Sequence, residues 1–257
     1  MIKRQELVKY LNKYLKIHDF QDYGPNGLHV EGSEEVSKIA FAVSATKDSI
    51  EEAVKIGAEM LIVHHGLFWK FHGTRPITGA FGKRVKLLVQ NDINLLSYHL
   101  PLDAHLEVGN AFGIAKRIEL KEIKPFGDHK GSPTGVKGKL KTPLTVSVFG
   151  NALKDILSHN VIVSTYDKEA EIKTVGIITG GANSDWIQAK RENLDAYITG
   201  EISEHDWHEA KESDMHFFAG GHNATEQFGV QDLMKHLHEN FKEKGLEFFY
   251  IPSDNPA

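Results

Sequence analysis

The chain has 257 residues, about 40% of them apolar and 25% charged, with a formal net charge of −5 and no cysteine. This is the balance of an ordinary soluble globular protein with enough length for a sizeable core, and it excludes disulfides, thiolate metal sites and cysteine nucleophiles. No apolar run approaches the roughly 18–20 residues that span a bilayer, net acidity makes nucleic-acid phosphate a poor partner, and the N-terminus enters an amphipathic pattern without the layout of a secretory leader, which points to the cytoplasm.

Apolar spacing predicts a first helix over residues 3–15, with Leu7, Leu11, Tyr14 and Leu15 on one face. The stretch Asp22-Tyr-Gly-Pro-Asn-Gly27 is dense in turn residues and leads into Leu28-His-Val30. From Lys38 a βαβ unit is legible: a strand at 39–43, a helix at 48–56 with Ile50, Ala53 and Val54 inward, and a buried strand at 60–63. A helix near 83–89, a strand at 93–98 and a helical segment near 109–117 follow. Residues 124–143 hold three prolines, four glycines and five lysines. This composition shift predicts a solvated connector and divides the chain into a first α/β domain, 1–125, and a second, 126–257. Beyond it come strand-like 144–148, a helix from about Leu153 and a strand at 161–164. A further helix opens with Ser203-Glu-His-Asp206, whose spacing resembles a capping box. The final helix turns Leu233, Met234, Leu237 and Phe241 inward.

An internal repeat organises these elements. Residues 38–66 align over 174–202 without a gap, bringing Ile39 onto Val175, Ala53 onto Ala189, Met60 onto Ala196 and His65 onto Glu201. At a slightly different offset, Ile93–His99 aligns with His216–His222 and Asp103 with Glu226, so both halves read as a strand followed by His-x-x-x-acid. The repeat predicts that the strands at 175–179 and 196–199 are parallel neighbours.

Ligands of α/β sheets bind beyond the carboxyl ends of the strands, and three such ends carry imidazole or carboxylate. His64-His65 follows the apolar run 60–63, and adjacent histidines there can serve two neighbouring metals; one structural and one exposed histidine is the plain alternative. His99-Leu-Pro-Leu-Asp103 supplies a hard oxygen donor, although Asp103 reads equally well as the cap of a helix starting near 105–107. Gly220-Gly221-His222 is followed by Glu226, whose place in a first helical turn also suits the helix dipole. Together the three ends hold about the inventory two metals need. With no sulfur donor available, that inventory suits zinc, iron, manganese or nickel. His205 and His208, one turn apart, read as surface residues. No phosphate-binding P-loop, dinucleotide fingerprint or serine-hydrolase elbow is present.

These segments resemble the NIF-three-like family, often labelled GTP cyclohydrolase 1 type 2 homologues. The matching motifs are Tyr23-Gly-Pro-Asn-Gly-Leu-His-Val-Glu-Gly32, Leu61-Ile-Val-His-His-Gly-Leu-Phe-Trp69, Tyr98-His-Leu-Pro-Leu-Asp-Ala-His105, Gly109-Asn110, Asp195-Ala-Tyr-Ile-Thr-Gly-Glu-Ile-Ser-Glu204 and Gly220-Gly-His-Asn-Ala-Thr-Glu226. The resemblance covers nearly the whole chain. It implies a three-layer α/β/α fold of two intertwined, internally duplicated domains with mixed sheets. It also implies metal ligands at His64, His65, Asp103, His222 and Glu226, two divalent ions per subunit, and a ring-shaped homohexamer. Ser44 departs from the pattern, since many relatives place aspartate there, and this puts in doubt a supporting role at that position.

Two functional classes follow. One is a metal-dependent hydrolase of a nucleotide-like small molecule, of cyclohydrolase or phosphohydrolase type, with Glu201 as base or orienting residue and His99 as proton donor or extra ligand. For Glu201 the alternative is membership of the next helix's first turn. The other class is a metal-binding regulatory or interaction protein without turnover.

Overall fold

In the computed structural model, which describes residues 1–257, the elements run β1 (Ile2–Lys3), α1 (Arg4–Tyr14), β2 (Gly27–Val30), β3 (Glu35–Val36), β4 (Lys38–Ser44), α2 (Lys47–Ile56), β5 (Met60–His65), α3 (Gly79–Gln90), β6 (Asn94–Ser97) and α4 (Leu100–Asp103). They continue with α5 (Asn110–Arg117), β7 (Lys121–His129), β8 (Ser132–Thr145), α6 (Val146–Leu157), β9 (Ile162–Ser164), β10 (Glu171–Ile177), α7 (Trp186–Arg191), β11 (Ala196–Thr199), α8 (Glu204–Glu212), β12 (His216–Ala219), α9 (His222–Asn240) and β13 (Glu247–Tyr250). No helix is long and apolar enough to cross a membrane.

The chain forms two compact units, Met1–Leu102 with Gly229–Asp254, and Asp103–Phe228 with Asn255–Ala257. The position expected for a boundary, 125/126, falls inside β7, and Asp103, expected with the first domain, belongs to the second unit.

In the first unit the sheet order is β13-β4-β5-β6-β2, with only β2 antiparallel. Ala40, Ala42, Leu61, Val63 and Leu95 pack with Ile50 and Ala53 of α2 and with Phe81 and Leu88 of α3. The alternate positions Ile39, Phe41, Met60, Ile62 and Leu96 are equally buried, so both faces of the sheet are covered. That is why β4 and β5 read as continuous apolar runs rather than alternating ones.

The second unit's sheet runs β7-β8-β10-β11-β12-β9 around a parallel core of β10, β11 and β12. One face carries Val175, Ile177, Ala196, Ile198 and Phe218 into a cluster with residues of α5 and α6. The other carries Tyr197, Phe217 and Ala219 into a cluster with Trp186, Ala189 and Ala210 of α7 and α8. The fold is the α/β class with mixed sheets expected from the sequence, each sheet lying between two helical layers.

The duplication is reproduced in the strand register. Ile39 pairs with Met60 and Phe41 with Ile62; Val175 pairs with Ala196 and Ile177 with Ile198. The expected parallel pairing of β10 and β11 is present, and Ala53 and Ala189 are both fully buried. The second correspondence is shifted by one residue. Met60 pairs with Asn94 and Ala196 with His216, which sets Tyr98 against Gly220 and His99 against Gly221 rather than His222. The shared His-x-x-x-acid spacing is therefore not one structural motif repeated.

The repeat extends to a carboxylate that holds each unit's strands in register. Glu59 accepts from the Lys38 N–H at 2.7 Å and the Ser37 N–H at 3.1 Å, and Asp195 accepts from the Thr174 and Lys173 N–H groups at 2.8 and 2.9 Å. Burial alone would raise the Glu59 pKa, but these backbone bonds outweigh it and hold the carboxyl below its usual value. Its contribution is accordingly full above the unfolded carboxylate range and lost as pH falls through the lowered folded value. Glu59→Gln is expected to cost about 1–2 kcal/mol at neutral pH, the low side for charge-assisted bonds because the carboxyl is only partly buried. Denaturant titrations at pH 7 and below pH 3 check this: the difference between variant and wild type should shrink in acid.

The expected connector at 124–143 is instead the longest hairpin of the protein. β7 and β8 join through Lys130-Gly131, both with positive φ (52° and 89°), the signature of a two-residue primed turn. Phe126, Val136 and Leu140 are buried while Lys137 and Lys139 pair with Glu192 and Glu122. Lysine and proline are what an edge such as β7 tolerates, so composition disguised the strands. Strand-like 144–148 is also corrected: β8 ends at Thr145, whose hydroxyl accepts from the Val148 N–H and opens α6. Ser203 precedes α8 without a bond to a backbone N–H; its hydroxyl donates to the Asp206 carboxylate, which also accepts from Trp186 Nε1 at 2.8 Å.

Candidate metal centre

In the first unit, β5 ends on His64-His65 and β6 leads into Tyr98-His99, at the carboxyl edge of the parallel strands. The fully buried His64 donates from Nδ1 to the Tyr98 carbonyl at 3.0 Å. A carbonyl can only accept, so Nδ1 carries a proton and Nε2 is the nitrogen that could face a metal. His65 Nδ1 bonds the Ser44 hydroxyl at 2.9 Å, across the pair Ser44–His65 of β4 and β5. The position that departs from the family pattern therefore does support a histidine.

His99 donates from Nδ1 to Asp22 Oδ1 at 2.7 Å. Asp22 is buried in the segment that the sequence marks only as a turn, and it also accepts from Asn26 Nδ2, the Leu100 N–H and the Tyr23 N–H. Burial would raise its pKa, yet His99 and these donors outweigh burial and hold the carboxyl below its ordinary value. One ring nitrogen from each of His64, His65 and His99 lies within 4.8 Å of the other two, a group that could hold a metal ion.

In the second unit, three glycine-bearing strand ends converge through backbone bonds. The Gly200 and Glu201 N–H groups donate to the Gly180 carbonyl, and the Gly221 N–H to Gly200. His222, first residue of α9, donates from Nδ1 to Glu201 Oε1 at 2.5 Å and sets Nε2 3.1 Å from Glu226 Oε2. Burial alone would lower the His222 pKa, but the Glu226 and Glu201 carboxylates raise it to about 9. The pocket thus stabilises a positive charge at this point.

Asp103 is the last residue of α4 and does not start a helix at 105–107; α5 begins only at Asn110. Its Oδ1 accepts from Asn110 Nδ2 at 2.8 Å and Thr179 Oγ1 at 3.1 Å. A carboxylate oxygen of Asp103 and one of Glu226 lie within 4.8 Å of each other, and both residues are buried. Glu201 lies outside α8 and serves His222 rather than that helix. His205 and His208 are exposed, at 62% and 53%.

Sequence reasoning missed Asp22, Asn110 and Thr179. Asp22 and Thr179 act through partners 77 and 76 residues away, Asn110 through Asp103 only seven away, and the turn composition around Asp22 gave no hint of a buried carboxylate. The available signals were the position of Thr179 at a strand end and the Gly109-Asn110 motif.

The sequence profile of the Duf34/NIF3 (NGG1p interacting factor 3) family matches residues 2–256. A GTP cyclohydrolase 1 type 2 homolog of Pasteurella multocida is 42% identical over 252 residues, 98% of each chain. Among solved structures, protein ybgI, described as of unknown function, superposes with a TM-score of 0.91 at 38% identity over 100% of both chains. A protein from Thermus thermophilus gives a TM-score of 0.89 at 32% identity, again over 100% of both chains.

Proposed function

The chain belongs to the Duf34/NIF3 family, and on that premise we propose that it is a metal-dependent hydrolase of a nucleotide-like small molecule, with His64, His65, Asp103, His222 and Glu226 as the ligands of divalent ions. The observation that carries this reading is that the histidines are anchored through Nδ1: His64 by a carbonyl, His65 by Ser44, His99 by Asp22 and His222 by Glu201. Metal-binding imidazoles are held this way, because the outer partner sets the tautomer and aims Nε2. Imidazole and carboxylate donors fit zinc, iron, manganese or nickel, and a dinuclear centre matches the number of donors. The raised pKa of His222 supports the fit, since its two carboxylates favour a cation.

When bound, such ions supply Lewis acidity and a water acidified towards a pKa of ~7. The chain's own groups then move protons. Glu201 is the base or the residue that orients His222. His99, held by Asp22, is the proton donor or a further ligand. The nucleotide-like substrate is argued from the relatives' name, GTP cyclohydrolase 1 type 2 homolog.

Protein purified without chelator is expected to carry one or two divalent ions per chain by elemental analysis, and Asp103→Asn to lose most of them. Metal-free wild-type protein would end the proposal. The loaded protein is then screened for turnover against nucleotides and phosphoesters. Full metal content with no turnover on either class favours the regulatory reading over the hydrolase.

A ring-shaped homohexamer belongs to the same proposal. Light scattering at micromolar concentration is expected to give about six times the 28.8 kDa chain mass; the mass of a single chain would refute it.

A further inference from the structure

We infer that Trp69 and Phe71 form a stacking platform for the planar ring of an anionic, nucleotide-class ligand beside the first unit's three histidines. This rests on the nucleotide-like substrate proposed above and names the residues that would recognise it. The Trp69 and Phe71 rings are stacked, with centroids 5.7 Å apart and planes 19° from parallel. Trp69 stands edge-on to His99, 5.0 Å away at 89°, and 5.9 Å from His65. Phe71 is 71% exposed, so an aromatic surface reaches from the histidines into solvent.

Adjoining exposed apolar side chains, unlike scattered single ones, mark binding surfaces, and this pair is held in place. The Lys70 N–H donates to the Tyr23 carbonyl at 2.7 Å and the Lys70 ammonium to the Asp22 carbonyl at 2.6 Å. At Gly24 a Cβ would sit 2.3 Å from the Phe68 carbonyl oxygen, so only glycine lets the two segments lie this close. The segment that orients His99 through the Asp22 carboxylate therefore also fixes the platform. Charge completes the case. Residues 60–91 contain no aspartate or glutamate in a chain of net charge −5, and Lys70 and Arg75 lie close to Phe71 in sequence, the Arg75 guanidinium 4.3 Å over the Phe81 ring. An aromatic surface in a segment with cations and no acids suits a base carrying a phosphate.

The test is calorimetric titration of the full-length protein with GMP, guanosine and ribose 5-phosphate. GMP is expected to bind more tightly than guanosine, and ribose 5-phosphate at least ~10-fold more weakly than GMP. Trp69→Ala should weaken GMP roughly 10-fold or more, Phe71→Ala by several-fold, and Trp69→Phe should largely restore binding, as loss and recovery of a stacked base require. Equal binding of GMP and ribose 5-phosphate, no GMP binding, or unchanged affinity in Trp69→Ala and Phe71→Ala would overturn the inference. So would loss of metal from Trp69→Ala, which would make Trp69 a support for the histidines. A drop in assembly mass for Phe71→Ala would also overturn it, marking the surface as a contact between copies. Trp69-dependent GMP binding without any turnover leaves this inference standing while the hydrolase reading falls.

Discussion

Gly180→Ala is expected to lose tight metal binding and to destabilise the protein by about 2–4 kcal/mol, the sum of a left-handed backbone forced on alanine and an overpacked site. Gly180 has φ +70°, and a Cβ there would lie 2.1 Å from Glu226 Oε1 and 3.1 Å from His222 Nε2. Glu226 is buried and cannot swing into solvent, so the methyl group must displace either the carboxylate or the strand end. Two readouts separate these consequences. Denaturant titration of chelator-treated protein reads the strain, and elemental analysis of untreated protein reads the site. A variant with wild-type metal content would show that Glu226 is not a ligand in the geometry argued here.

Glu201→Gln carries the second large effect. Glutamine keeps the shape and can still accept from His222 Nδ1, but it removes the negative charge and the capacity to take a proton. If Glu201 only orients His222, metal affinity should fall about 10–100-fold while turnover at saturating metal recovers. If it is also the base, turnover should stay about 10²–10⁴-fold down when the metal is saturating. Turnover on a confirmed substrate, measured across a metal titration, distinguishes the two. Full metal content together with full turnover removes Glu201 from the mechanism.

The elements that could be read in the chain are those whose signal is local. The strand that ends on His64 and His65 opens with a run of four apolar residues, because both of its faces are buried, and its end could be placed to within two residues, at 63 as read against His65 in the structure. The repeat between residues 38–66 and 174–202 was legible because strand, helix and strand recur at one spacing, and the structure reproduces that spacing in its pairing. The strand ends that carry imidazole and carboxylate followed from the same two facts.

What required the tertiary structure is what distant residues do to one another. Asp22 meets His99 across 77 positions, and Thr179 meets Asp103 across 76. No periodicity relates such pairs; the sheet order brings them together. The hairpin of β7 and β8 was hidden because an edge strand needs few apolar residues and gains from lysine and proline. The one-residue slip between His99 and His222 was hidden because equal spacing in sequence does not say which residue a neighbouring strand will pair with. Sequence by itself thus determined the class of the fold and the residue types at the strand ends, which depend on burial and local spacing. The tertiary structure alone decided which ring nitrogen of each histidine is held and by which group, a carbonyl, a hydroxyl or a carboxylate, because those depend on hydrogen bonds closed between segments far apart in the chain.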